Sequence, residues 1–268
     1  PFNDQPFLKR SVYLTLEKLV SIRTGAFVDV SEGMRDLCLM NGLGDENNHF
    51  VVCSGMDVDQ FRVAEPAADM REVLNCRAGT DQPVAVLYVA VMERRKRHRE
   101  LIAAMIPLLK ERPGIHLFLA GDGPESVILR RMVEDADCKG SVSFLGFRDD
   151  IATVISAADI CVFSSEREGL PRSIVQYAMC GKPIVATALP GIDLVVREGE
   201  NGYVVPSDDF TGLVQHVSHL CDDAIKRQEM SAQSATLDFS RWDARIMSSE
   251  IELIYDRLLS PSAQSPSA

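Results

Sequence analysis

Apolar runs and helical stripes alternate through the middle of the chain. The run VAVLYVAV at 84–91 is rich in valine and has no polar alternation, the pattern of a parallel strand buried on both faces. A helix is predicted over 96–111, with Leu101, Met105, Leu108 and Leu109 on one face and Pro113-Gly114 ending it. The next strand is IHLFLAG at 115–121, followed by a helix over 124–137 carrying Val127, Leu129, Met132 and Val133. SVSFLG at 141–146 reads as strand, 149–157 as helix and DICVFSS at 159–165 as strand. A helix then starts at Pro171, where proline is tolerated, and stops before Gly181. PIVAT at 183–187 is a further strand, and helices follow at about 208–222, 225–237 and 241–259. Strands separated by helices of this length predict an α/β fold: a Rossmann-like parallel sheet with helices on both faces.

The first 60 residues differ. A helix near 8–22, a strand AFVDV at 26–30, a helix from Ser31 and a strand HFVVC at 49–53 are too little to close a sheet around its own core. The segment reads as the end of a domain whose beginning is missing. The initial Pro fits a fragment or processed product. The closing SPSAQSPSA is of low complexity and is expected to be disordered.

The net charge of −11 argues against broad nucleic-acid binding, which needs a large basic footprint. No apolar run is long enough for a membrane-spanning helix, and the start lacks the layout of a signal peptide. Cysteines at 38, 53, 76, 138, 161, 180 and 221 are odd in number and form no CxxC pair. That suits reduced, mostly buried thiols in a cytoplasmic protein, without structural zinc.

Ligands of open α/β sheets bind at the carboxyl ends of the strands, so four loops carry candidate chemistry. The cationic stretch AVMERRKRHR at 90–99 joins a strand end to a helix start and could neutralise a diphosphate, with Lys96 as the phosphate contact. Taken alone, such a charge run is more often a solvated helix face. In GDGP, Gly121 and Gly123 would let backbone approach a ligand, but position 126 is Ser and the dinucleotide fingerprint is incomplete, so a structural turn is the better reading alone. LGFRDD at 145–150 could bring backbone groups of Phe147 and Arg148 near a base, or be a turn with a helix cap. SSEREGLPRSIVQ places Glu168 where its carboxylate could accept from sugar hydroxyls. Gly169 and Leu170 could offer N–H groups to phosphate, and Gln176 could reach a ribose. Equally, Glu168 could cap the helix and Gln176 be surface polar.

In this order, the loops resemble the donor-binding domain of glycosyltransferase family 4. The resemblance runs from about Phe27 to Trp242. Its marks are VDVSEGM at 28–34, VVCSGMDVDQF at 51–61, the Lys96 loop, LAGDGP at 119–124, SFLGFRDD at 143–150 and SSEREGLP…AMCGKPIVAT…PGIDLVVREGENGYVVP at 164–206. One such element is weak; together and in register they are specific.

The resemblance implies a GT-B fold, two Rossmann-like domains facing a cleft, and a retaining sugar transfer without a metal ion or cofactor. The substrate would be a nucleotide-diphosphate sugar, UDP favoured over GDP. The acceptor would be a glycan, lipid or small molecule, as in polysaccharide biosynthesis, with room for peripheral association at the cytoplasmic face of a membrane. It implies catalytic roles for Glu168 and Lys96. Donor-binding roles fall to Gly169, Leu170, Gln176, Phe147, Arg148, Gly121 and Gly123. Expected domains are 1–60, the remnant of an acceptor-side domain; 61–240, which binds the nucleotide sugar; 241–259, a helix crossing toward the first domain; and 260–268, a tail.

Departures accompany the resemblance. Gln176 stands at the second Glu of the family's Glu-x7-Glu motif. Val91 replaces a phosphate-binding Arg, for which Arg94, Arg95 or Arg97 could compensate, and Arg97 replaces a common Gly. The acceptor domain's glycine loop and active-site His have no counterpart, and an intact first domain would need on the order of 100 further residues. A non-catalytic binding module, or a form pairing with a separate N-terminal half, is the alternative. A nucleotide-sugar epimerase and a nicotinamide-dependent dehydrogenase rank lower.

Overall fold

The computed structural model describes residues 7–75, 83–169 and 171–260. From the N-terminal side the chain forms α1 (Phe7–Ser21), β1 (Phe27–Asp29), α2 (Glu32–Met40) and β2 (His49–Val51). Two short helices, α3 (Asp59–Arg62) and α4 (Ala68–Asn75), precede β3 (Val84–Val89) and α5 (His98–Glu111). Next come β4 (Ile115–Ala120), α6 (Ser126–Asp135), β5 (Val142–Gly146), α7 (Ile151–Ala157), β6 (Ile160–Phe163) and α8 (Arg172–Met179). β7 (Ile184–Thr187), β8 (Gly202–Val205), α9 (Phe210–Asp222), α10 (Ala224–Ser234) and α11 (Ala244–Leu259) complete the chain. It divides into two compact units, one of Pro1–Asp57 with Phe239–Ala268 and one of Val58–Asp238.

The larger unit is a six-stranded sheet in the order β5-β4-β3-β6-β7-β8, with every neighbouring pair parallel. Val86, Leu87, Ile160, Val162 and Ile184 are fully buried, as unbroken apolar strands require when helices cover both faces. The order reverses between β3 and β6. The chain moves outward through β4 and β5, then returns to β6 and continues to β7 and β8. Such a reversal is where open α/β sheets bind ligands, outside the carboxyl ends of the strands, here those of β3 and β6.

The apolar pattern anticipates neither β8 nor the helices α3 and α4, which are short. β8 opens on Gly202, where an added Cβ would sit 2.3 Å from the Ile184 carbonyl oxygen, so only glycine lets the edge strand pair this closely. The helix expected from position 96 begins at His98. A 3-10 turn at Arg94–Lys96 precedes it, and Arg97 between them has a left-handed backbone, φ 57°.

In the smaller unit β1 and β2 pair in parallel, Phe27 opposite His49. The buried His49 lies between Asp29 Oδ2, 2.6 Å from Nδ1, and the Leu43 carbonyl, 2.8 Å from Nε2, with Phe27 stacked on its ring. The Met56 N–H donates to the Trp242 carbonyl, and its own carbonyl accepts from the N–H of Ala244, the first residue of α11. On that helix Ile254 is buried, whereas Leu253, Tyr255 and Leu259 are exposed. Among the described residues no helix is long and apolar enough to cross a membrane. Leu170, Cys76 and the tail 261–268 lie outside the described residues.

Candidate functional site

The loops that follow β3 and β6 meet at the reversal. Their backbones are tied together through two carbonyls. The Lys96 carbonyl accepts from the Tyr88 hydroxyl at 2.8 Å and the Ser164 hydroxyl at 3.1 Å. The Arg95 carbonyl accepts from the Glu166 N–H at 3.0 Å and lies 3.3 Å from the Ser165 hydroxyl. Tyr88 is fully buried in β3, and burial pushes its phenol well above the ordinary range, so it stays a neutral donor. The Tyr177 hydroxyl in α8 accepts from the Val89 N–H at 2.8 Å and fixes the end of β3.

This framework brings together the two side chains nominated for chemistry. Lys96 Nζ donates to Glu168 Oε1, and both side chains are nearly buried, 14% and 16% exposed. Arg95 Nη1 stands 3.3 Å from the same oxygen, and Ser165 Oγ 3.1 Å from it. A partly desolvated carboxylate flanked by two cations is a strongly polarised centre, since opposite charges attract more in a low-dielectric setting. Beside it His98 is buried against the Tyr88 ring, 4.6 Å between centroids. Burial, with the Lys96 charge adding, lowers its pKa from 6.5 to about 4, so the imidazole is neutral.

Of the other nominated residues, Gly121 and Gly123 follow β4, and Phe147 and Arg148 follow β5, at the carboxyl ends of the strands. The close approach that the two glycines permit is to the neighbouring loop. A Cβ on Gly121 (φ 134°) would meet the Ala90 carbonyl oxygen at 2.0 Å, and one on Gly123 would meet that of Met92 at 2.5 Å. Their observed work is to seat the Lys96 loop. Phe147 follows β5 and is 84% exposed. The Arg148 side chain turns away into ion pairs with Asp150 at 2.6 Å and Asp69 at 2.5 Å, which hold its pKa above the ordinary range. Gly169 follows Glu168 in a bend, and Gln176 is half-buried on α8.

The arginine alternatives also separate. Arg97 donates to the Ser207 carbonyl at 2.6 Å and Asp208 at 2.7 Å, and lies over the Phe210 ring. Arg94 faces Glu100 at 3.4 Å. Arg95 reaches Glu168. Sequence reasoning left these three undivided and did not single out Tyr88, Ser164 or Ser165. The only signal for the serines was their place directly before the Glu168 loop. His216 and His219 both pack on the Tyr203 ring. Among the described residues no group of three or more His, Cys, Asp or Glu is placed to hold a metal ion.

Comparison with known proteins agrees on one family. The family model described as Glycosyl transferases group 1 matches residues 83–223, which cover β3 through α9. The lipopolysaccharide core biosynthesis glycosyltransferase LpsE of Rhizobium meliloti is 33% identical over 158 residues, 58% of this chain and 45% of its own length. The N-acetyl-alpha-D-glucosaminyl L-malate synthase of Bacillus anthracis is 25% identical over 170 residues, 63% of this chain and 44% of its own. The chain thus spans about half the length of the curated relatives it matches. Among solved structures, Anabaena HepE in complex with UDP superposes with a TM-score of 0.77 at 21% identity, covering 91% of this chain and 67% of that one. Sucrose-phosphate synthase from Thermosynechococcus elongatus gives 0.76 at 24% identity, covering 95% and 62%. The parallel sheet is therefore of the GT-B type, and the chain belongs to the glycosyl transferases group 1 family.

Proposed function

We propose that the protein transfers a sugar from a nucleotide-diphosphate donor to a glycan, lipid or small-molecule acceptor, with retention of anomeric configuration and without a metal ion. The supporting observation is the meeting of Lys96 and Glu168 at the β3/β6 reversal. As the glycosidic bond to the diphosphate breaks, negative charge gathers on the departing phosphate. Lys96 offsets it from a fixed position, an electrostatic contribution that needs no reorganisation. Glu168 accepts from hydroxyls of the donor sugar, and the N–H of Gly169 is available to the phosphate; Leu170, given the same role by the resemblance, lies outside the described residues. Gln176 takes the ribose; it is neutral and has one acceptor oxygen fewer than the Glu it replaces. The base lies toward the backbone of Phe147 and Arg148. From β5 to β6 is three inter-strand steps, roughly 14 Å, a span that suits base, diphosphate and sugar laid across the strand ends. UDP is favoured because HepE holds it on the same fold.

A thermal-shift panel tests the reading. A ligand at a hundred times its dissociation constant stabilises by about 2.7 kcal/mol, or roughly 5–10 °C at this size. UDP or GDP raises the melting temperature by that order, NAD does not, and Lys96→Ala removes most of the rise. Equal shifts in wild type and variant would take Lys96 out of the site.

The neutral Gln176 and the uncharged Val91 favour one second reading: a module that binds the donor and leaves acceptor chemistry to a partner acceptor domain. Sugar transfer by this chain alone would eliminate it.

A further inference from the structure

Three donors converge on one oxygen. Lys96 Nζ, Arg95 Nη1 at 3.3 Å and Ser165 Oγ at 3.1 Å all face Glu168 Oε1. A carboxylate oxygen and a phosphate oxygen make the same demand on their surroundings, namely charged donors aimed at a single acceptor. A diphosphate carries more negative charge than one ammonium offsets, and position 91 supplies only an apolar side chain, 55% exposed.

Neighbouring arginines have other partners. Arg99 is bidentate to Glu125, at 2.5 and 2.7 Å. Arg97 is drawn to Ser207 and Asp208, and Arg94 to Glu100. Arg95 alone among these is aimed at the centre. Glu93 takes its Nε at 3.1 Å and its Nη2 at 2.5 Å, which leaves Nη1 toward Glu168. The Arg95 carbonyl, held by the Glu166 N–H, fixes the base of the side chain.

Resting on the donor-site reading above, we propose that Arg95 joins Lys96 as the second diphosphate-binding cation, and that Glu168 stands in the anion's place until the donor enters. Donor binding is then an exchange. The diphosphate takes the two cations, and the released Glu168 carboxylate becomes available to sugar hydroxyls.

The test is calorimetric titration of the chain with inorganic pyrophosphate and with UDP, at low and high salt, alongside melting curves for each variant. Arg95→Met keeps the side-chain bulk and weakens both ligands at least tenfold; Arg95→Lys recovers part of the loss. Arg94→Met, one residue away, binds as wild type does. Glu168→Gln removes the competing anion and binds pyrophosphate severalfold more tightly, an effect that loss of structure would not produce. Wild-type affinity in Arg95→Met, or an equal loss in Arg94→Met, would overturn the role of Arg95. Unchanged or weaker pyrophosphate binding in Glu168→Gln would overturn the exchange. If Lys96→Met loses binding while Arg95→Met does not, only this inference fails. If wild type binds neither ligand, the donor-site reading fails with it.

Discussion

His98 buries two ring nitrogens that find no hydrogen-bond partner among the described residues, and it does so against a site built of charges. The neutral imidazole avoids a second positive charge behind Lys96. Its pKa in the folded chain, about 4, lies below the ordinary 6.5. The unfolded chain therefore binds more protons between those values, and stability falls as pH drops through that window. The shift corresponds to up to about 3 kcal/mol at the acid end. Urea unfolding of wild type and His98→Phe should show similar pH dependence above 6.5, and below it a steeper loss in wild type. Parallel curves down to pH 4 would mean that His98 is not the group responsible. At this scale, sequence reasoning nominated Lys96 and Glu168 but could not divide the basic run around them. Where each arginine points depends on the 3-10 turn and on the left-handed residue after it, neither of which leaves an apolar pattern.

The junction between that turn and α5 is a strained element boundary. Arg97 occupies a left-handed backbone that costs a non-glycine residue about 1 kcal/mol. Its side chain offsets the cost through Ser207, Asp208 and the Phe210 ring. Arg97→Ala loses those contacts and keeps the strain, whereas Arg97→Gly loses the contacts and relieves it. Both variants are less stable than wild type, with the glycine variant ahead by about 1 kcal/mol in chemical denaturation. An alanine variant as stable as the glycine one would place the chain differently at 97. The long elements were legible because their apolar stripes and runs are long; β3 and α5 are examples. β8 was not, having four residues and beginning with a glycine whose reason lies in the neighbouring strand. The GDGP glycines were legible as special positions. Their partner, the backbone of Ala90 and Met92, is a tertiary fact that local sequence does not carry.

At the scale of the whole chain, composition and the order of strands and helices pointed to a parallel sheet. The strand order itself, with its reversal between β3 and β6, needed coordinates. That reversal has a thermodynamic consequence. Lys96 and Glu168 lie 72 positions apart, and every residue of β4, β5 and their helices is threaded between them. Neither flank of the sheet can present both charges by itself, so the site exists only once the central seam has closed. A nucleotide held as proposed would act as a rivet across that seam. Hydrogen exchange with saturating UDP should slow in β4 and β7 alike, far outside any direct contact, and protection limited to the two loops would show that the flanks open independently.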